Sequence, residues 1–432
     1  ISEEPFFEPL RKAVDNLKIR LSYGSLGNQQ IGYYDFIQTI TTKGSMSDYS
    51  FDGTVLGQHA TVSDPVSGDQ TWEKVVSKNL GLDLNMFNNR LSLTTDFYIR
   101  DTKGILGKGK SLPSIYGASE PQMNANNLRT KGYELVLGWR DSFKLAGSTF
   151  SYGITGTFSD YTAEYTKCDN PTGLIGDPYV GKKYGEIWGY KVDGLFRNDK
   201  EAAEYASRID LSTVATGAYG KGVRGGDIKY LDLNGDNIVN GGKGTLDDPG
   251  DRRVIGNSSP RYQYGASLNF SWYGFDVSVF MQGIGRLDWY PGADNLRFWG
   301  PYCRPYATFV PKNFMSQVWS EENPDAYFPR ARAYTSLNSN SGTAYYTNDR
   351  YLQNLAYCRL KNLTIGYTIP RRLTSKVGIK ECRIYFSGEN LATWSALKSD
   401  FLDPEQAAAD SDKKANVYPW CKTYSIGLNL TF

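Results

Sequence analysis

The last ten residues, Thr423-Tyr-Ser-Ile-Gly-Leu-Asn-Leu-Thr-Phe432, alternate strictly in character. Tyr424, Ile426, Leu428, Leu430 and Phe432 share one face, and Thr423, Ser425, Gly427, Asn429 and Thr431 share the other. A period of two is a β-strand with one apolar and one polar side. In a sandwich the apolar side would be hidden in a core. The polar side here is small and uncharged, which also suits the interior of a wide, water-filled barrel. An aromatic residue closes the strand, as in outer-membrane barrels. On that reading the strand descends toward the periplasm, and the direction of every earlier strand follows from it.

The same alternation recurs upstream. It runs over 17–23, 80–84, 91–98, 133–139, 150–158, 262–272, 275–281 and 363–369, with Ile384 and Phe386 continuing it before the last strand. About ten antiparallel strands are expected from such runs. Counting back from a descending last strand, short links fall near 88–89, 141–147, 273–274 and 371–380. Long ones cover about 28–72, 107–127, 167–257, 290–354 and 394–420. Short and long alternate without exception, the signature of a transmembrane barrel with short periplasmic turns and long outer loops. Charges obey the pattern too. Lys18, Arg20, Lys361 and Arg383 fall on the polar register or at strand ends, sparing the roughly 2–4 kcal/mol cost of a cation facing lipid at mid-depth.

Composition narrows the function. There are 32 Tyr and 45 Gly but a single histidine, His59, so no nucleophile–His–acid set can be assembled around several candidates. A net charge of +2, with Lys and Arg spread along the chain, leaves no nucleic-acid footprint. No apolar run reaches the length of a membrane-spanning helix, a test that strands of about 9–11 residues escape. Cys168, Cys303, Cys358, Cys382 and Cys421 are an odd set without metal spacing, so at least one is unpaired within the chain. Gly104 to Gly109 reads as a turn-like loop without the Lys-Ser/Thr ending of a phosphate loop.

Several stretches resemble the SusC/RagA-type TonB-dependent transporters. They are Leu17–Asn28, Asn79–Leu84 with Asn89–Tyr98, Gly189–Phe196, Tyr230–Asp236, Arg253–Tyr262, Arg359–Pro370 and Ser387–Leu391. Each is weak alone; together, and in family order, they are specific. The resemblance implies an all-β, 22-stranded transmembrane barrel in a Gram-negative outer membrane. It implies a plug domain, a TonB box, active import of oligosaccharides or peptides, and a SusD-like surface lipoprotein as partner. Energy would come through TonB–ExbB–ExbD acting on the plug. The sequence carries a lead-in over 1–15 and a barrel portion over 16–432, and no stretch of it reads as a plug or TonB box. A C-terminal part of such a transporter is therefore expected, non-enzymatic and surrounded by outer-membrane lipid. The rivals are a passive porin and a secreted carbohydrate-binding or adhesive β protein.

One motif carries chemistry. Asp232, Asn234 and Asp236 place oxygens at alternate positions, and Ile238 offers its carbonyl next. That is the opening of a calcium loop, where a hard cation gathers several oxygens at about 2.3–2.6 Å. Asn237 takes the sixth position, which needs positive φ, and Lys243 stands where an acidic twelfth residue is usual. In the family a shorter loop ends in Asp-Arg, here Asp251-Arg252, so Asp251 is the implied last ligand, with Asp247 or Asp248 as substitutes. The alternative is a turn whose side chains cap its own backbone. Calcium here would stiffen the outer loop 167–257. Trp188, Trp289, Tyr290, Trp299 and Tyr302 are the candidate cargo contacts, being loop aromatics able to stack on sugars or line a peptide surface. Interfacial placement explains them equally well.

Overall fold

The computed structural model describes residues 3–28, 37–43, 59–68, 70–108, 114–214, 222–293, 295–303, 310, 312–332, 344–399, 401–409 and 418–432. Ten strands make one sheet: β1 (Val14–Asn28), β2 (Glu73–Met86), β3 (Leu91–Lys108), β4 (Gln122–Leu145), β5 (Ser148–Lys167), β6 (Arg261–Trp272), β7 (Phe275–Arg286), β8 (Tyr357–Thr368), β9 (Glu381–Ser395) and β10 (Thr423–Thr431). Their order in the sheet is their order in the chain, and each pairs antiparallel with the next. This is the expected partial barrel, a meander whose short links all lie at one end and whose long links all lie at the other.

Most strands run beyond their alternating cores, and β4 and β5 do so into their shared turn. Residues 140–145 continue β4 to Leu145, and β5 begins at Ser148. The turn shrinks to Ala146 and Gly147, both at positive φ, as a two-residue hairpin matched to strand twist requires. Tyr273 and Gly274 repeat the device between β6 and β7. The polar run 140–144 looks like a loop only because cross-strand partners are invisible in sequence: Phe143 pairs with Phe150 and Asp141 with Tyr152. Similarly, Gly104 and its neighbours up to Lys108 belong to β3, and Gly109 lies outside the described residues. At the start, a 3-10 turn over Pro5–Leu10 leads into β1, which begins at Val14.

Register sorts the side chains into two faces. On the apolar face Leu21, Leu80, Phe97 and Tyr133 form one row across β1 to β4. That face is bare: Leu21 is 79% exposed and Ile426 84%. Its aromatics gather at two levels. Toward the long-loop end, Phe97, Tyr133, Phe158 and Tyr262 follow one another at ring-centroid distances of 6.4, 6.0 and 6.4 Å. Toward the short-turn end, Phe150 sits 5.4 Å from Phe143, 5.8 Å from Tyr152 and 6.4 Å from Phe270.

The polar face carries ion pairs that reach across an intervening strand. From β1, Arg20 bonds Asp83 at 2.9 Å and Asp96 of β3 at 2.8 Å, passing over Gly81 of β2. From β9, Arg383 Nε donates to Asp276 of β7 at 2.9 Å, passing over Gly366 of β8. A Cβ at Gly366 would stand 2.5 Å from both Arg383 Nη2 and Asp276 Oδ1. Glycine is therefore needed there for clearance. Gly366→Ala is expected to push the pair apart at a cost of about 1–3 kcal/mol. Thermal unfolding of the purified full-length protein should then come at a lower temperature; an unchanged transition would mean that the pair re-forms around the methyl.

The hydrophobic core lies outside the sheet. Tyr190, Phe196, Ile228, Tyr230, Trp289, Phe298, Trp299, Tyr302, Phe328, Tyr351, Leu402 and Ala407 belong to one buried cluster drawn from the connections β5–β6, β7–β8 and β9–β10. Short ladders frame it: Glu186–Tyr190 with Arg252–Asn257, Val192–Leu195 with Ile228–Tyr230, and Val318–Trp319 with Phe328–Arg330. These three long connections thus form a folded unit at the long-loop end of the sheet.

Candidate functional site

Four of the five candidate cargo aromatics are interior residues. Trp299 is wholly buried, Tyr302 1% exposed, Trp289 4% and Tyr290 9%. Local chemistry explains why. Asn295 caps the short helix Leu296–Trp299 by accepting from Phe298 N at 2.9 Å, which turns Phe298 and Trp299 inward. There Trp299 lies 5.0 Å from Tyr351, and its indole donates to the Gly292 carbonyl at 3.0 Å. Tyr302 Oη donates to the Pro329 carbonyl at 2.5 Å and Tyr290 Oη to that of Tyr346 at 3.2 Å. Burial pushes the phenols of Tyr230, Tyr290 and Tyr351 above their usual range, and Tyr351 Oη donates to the Tyr327 carbonyl at 3.1 Å. Trp289 faces Gln353 in a two-residue ladder. Only Trp188, opposite Val254, stays half-buried. Four of these rings pack the loops, because three connections converge and bury each other's aromatics.

A buried ion pair ties two of these connections. Asp227, with no exposed surface, accepts from Arg332 Nε at 2.8 Å and from Arg224 N at 2.8 Å. Burial pushes its carboxyl above the ordinary range, against the pull of the Arg332 guanidinium. The sequence carries no sign of this pair, whose members stand 105 residues apart.

The third connection turns inward. Arg359 of β8, 2% exposed, donates to Asp403 at 2.6 Å, Glu405 at 2.8 Å and Thr393 at 2.9 Å. Lys361 reaches both Glu405 oxygens at 2.9 Å, and Gln282 of β7 adds a bond at 3.2 Å. Segment 401–409 is therefore fastened to the polar face near its long-loop end, while Leu402 and Ala407 enter the loop core. A signal did exist in the sequence. Phe401-Leu402 followed by Asp403-Pro-Glu405 is an apolar pair beside an acid pair, within reach of a basic strand.

The 232–251 loop curls as expected, with Asn237 at φ 64. Asp232 accepts from Gly235 N at 2.7 Å and Asn237 N at 2.9 Å, Asn234 from Asp236 N at 3.1 Å, and Asp236 from Ile238 N at 2.8 Å. Asp251, fully buried, ties both ends by accepting from Leu233 N at 2.7 Å and Asn240 N at 2.9 Å. These bonds cap the loop's own backbone, and the acids are dispersed. Among the described residues no three His, Cys, Asp or Glu side chains gather as a metal set. Most of these side-chain oxygens already accept a backbone N–H, and Asp236 Oδ2 accepts from Asn234 Nδ2 at 2.9 Å. Ile238, 40% exposed, keeps its side chain toward solvent.

An antiparallel sheet with one bare apolar face, cross-strand ion pairs on the other and a folded cap of loops defines a section of barrel wall. The comparisons with known proteins agree. No family model matches the chain. In sequence it is 27% identical to the TonB-dependent receptor P26 of Formosa agariphila over all of its length and 41% of that protein. It is 23% identical to the TonB-dependent receptor SusC of Bacteroides thetaiotaomicron, again over its whole length and 39% of the relative. In fold it matches the structure of the RagAB peptide transporter with a TM-score of 0.68 at 21% identity, covering 98% of this chain and 41% of the other. The chain thus spans about two-fifths of the length of the relatives it matches. Its resemblance to the SusC/RagA-type TonB-dependent transporters holds along the entire sequence and in the fold.

Proposed function

We propose that this chain supplies part of the barrel wall and the outer loops of a SusC-like importer in a Gram-negative outer membrane. The observation that carries the reading is the pair of aromatic levels on the apolar face. Tyr133 and Phe143 are ten residues apart on β4, which is roughly 33 Å along a strand at about 3.3 Å per residue. A tilt of about 40° reduces that to roughly 25 Å, the height of the apolar band between aromatic girdles. The bare face then meets lipid and the polar face lines the bore. The cargo is an oligosaccharide or a peptide, a SusD-like lipoprotein closes over the loops, and TonB–ExbB–ExbD drives the cycle through a plug. No covalent chemistry is assigned to the chain.

Uptake of fluorescent oligosaccharide and peptide pools by wild-type, deletion and TonB-null cells tests this. Loss of one pool in both mutants is the expected result. Uptake that survives without TonB would favour the passive porin, and recovery of the protein in buffer without detergent would favour the secreted binding protein.

For the 232–251 loop we propose a structural calcium ion, supported by the curl and the alternating oxygens. Terbium added to the purified protein should give luminescence that calcium quenches and that Asp236→Ala abolishes. Emission at the level of free terbium would leave the side-chain caps as the loop's whole support.

A further inference from the structure

The apolar face is not uniform at its long-loop end. Leu21, Leu80, Phe97, Ile99 and Tyr133 border a recess of 650 Å³, centred on the upper aromatic level. One step nearer the long loops, Lys78 and Lys131 flank Ile99 in a single row across β2, β3 and β4. Both line the recess, both are exposed, and neither forms an ion pair among the described residues. Among the described residues, the acids around them on this face each hold a basic partner. Asp101 holds Arg129 at 2.6 Å, Asp160 takes two bonds from Arg261, and Glu164 pairs with Lys183. Two ammonium groups therefore stand directly above an apolar hollow without a close ion-pair partner among the described residues, feeling Asp101 and Glu164 only at longer range. A lysine at mid-depth would be costly, but one at headgroup level attracts anionic lipid by about 1 kcal/mol per charge.

We propose that this recess is a site for a phosphorylated, multiply acylated lipid of the outer leaflet. Acyl chains lie against Leu21, Leu80, Phe97 and Tyr133, and phosphate groups sit between Lys78 and Lys131. The match is one of charge and of level: the cations stand where the aromatic row ends, so a lipid whose chains fill the hollow presents its phosphate to them. The neutral pairs beside them leave these two lysines as the recess's net positive charge.

The proposal rests on the outer-membrane reading, and one experiment separates the two. The full-length protein is extracted from outer membranes in detergent, and native mass spectrometry follows binding of diphosphoryl lipid A and of the same lipid with its phosphates removed. The wild type should prefer the phosphorylated form. Replacing both cations, Lys78→Gln with Lys131→Gln, should weaken that binding about thirty-fold, the equivalent of two headgroup-level charges, and leave the dephosphorylated lipid unaffected. Lys78→Arg with Lys131→Arg should restore the preference. Equal binding of the two lipids, or a double Gln variant that binds like wild type, would overturn the lipid site while leaving the barrel intact. A protein absent from the outer-membrane fraction would overturn both.

Discussion

Arg332→Ala is expected to loosen the outer loops by about 3–5 kcal/mol, the cost of leaving a buried charge without its partner. Asp227 has no exposed surface, and its remaining bond from Arg224 N cannot balance a full charge. The strand pair Val192–Leu195 and Ile228–Tyr230 adjoins it, since Phe196 N donates to the Asp227 carbonyl at 2.9 Å. Amide hydrogen exchange in the full-length protein should therefore lose protection over 224–230 while β3 to β5 exchange as before. Adding Asp227→Asn to the Arg332→Ala variant should recover much of the loss, because a neutral amide costs far less to bury than an unpaired carboxylate. Unchanged exchange in the single variant would mean that the rings alone hold the loops.

Arg359→Ala is the second large effect, at about 3 kcal/mol. It lies at the lower end of the range for a broken buried pair because Lys361 still holds Glu405. Segment 401–409 loses its bolt to the polar face, and Asp403 its only ion-pair partner among the described residues. Protection of the amides over 401–409 should fall, and a protease should reach this segment in whole cells. If both stay as in the wild type, the burial of Leu402 and Ala407 suffices to hold the segment.

The wall was legible in the sequence and the cap was not, for a physical reason. A strand facing lipid on one side and water on the other must alternate, and residues 423–432 do so with no knowledge of their neighbours. The same two-solvent rule placed Arg20 and Arg383 on the polar face. Their partners Asp96 and Asp276 emerge only with register, because each pair crosses a strand at Gly81 or Gly366. In the loops no single periodicity applies. Trp299 and Tyr302 look like rings offered to solvent until Phe328 and Tyr351, brought from further along the chain, close over them. The β4–β5 turn was misjudged for a related reason. Ser142 and Lys144 are polar residues on the bore side of a continuing strand, where polarity is the rule and does not signal a loop.

That the buried core sits in the loops gives this chain two separate folding problems. The cap can collapse in water, driven by its own aromatic rings as in any small globular domain. The wall has no interior of its own, and its apolar face stays bare until something apolar covers it; on the proposed reading that cover is lipid. In the proposed outer-membrane setting the two parts would therefore mature in different surroundings. A cap that condensed in the periplasm would be a bulky folded load to carry across the bilayer. Assembly in that setting would be an ordering problem, with the cap kept loose until the wall is covered.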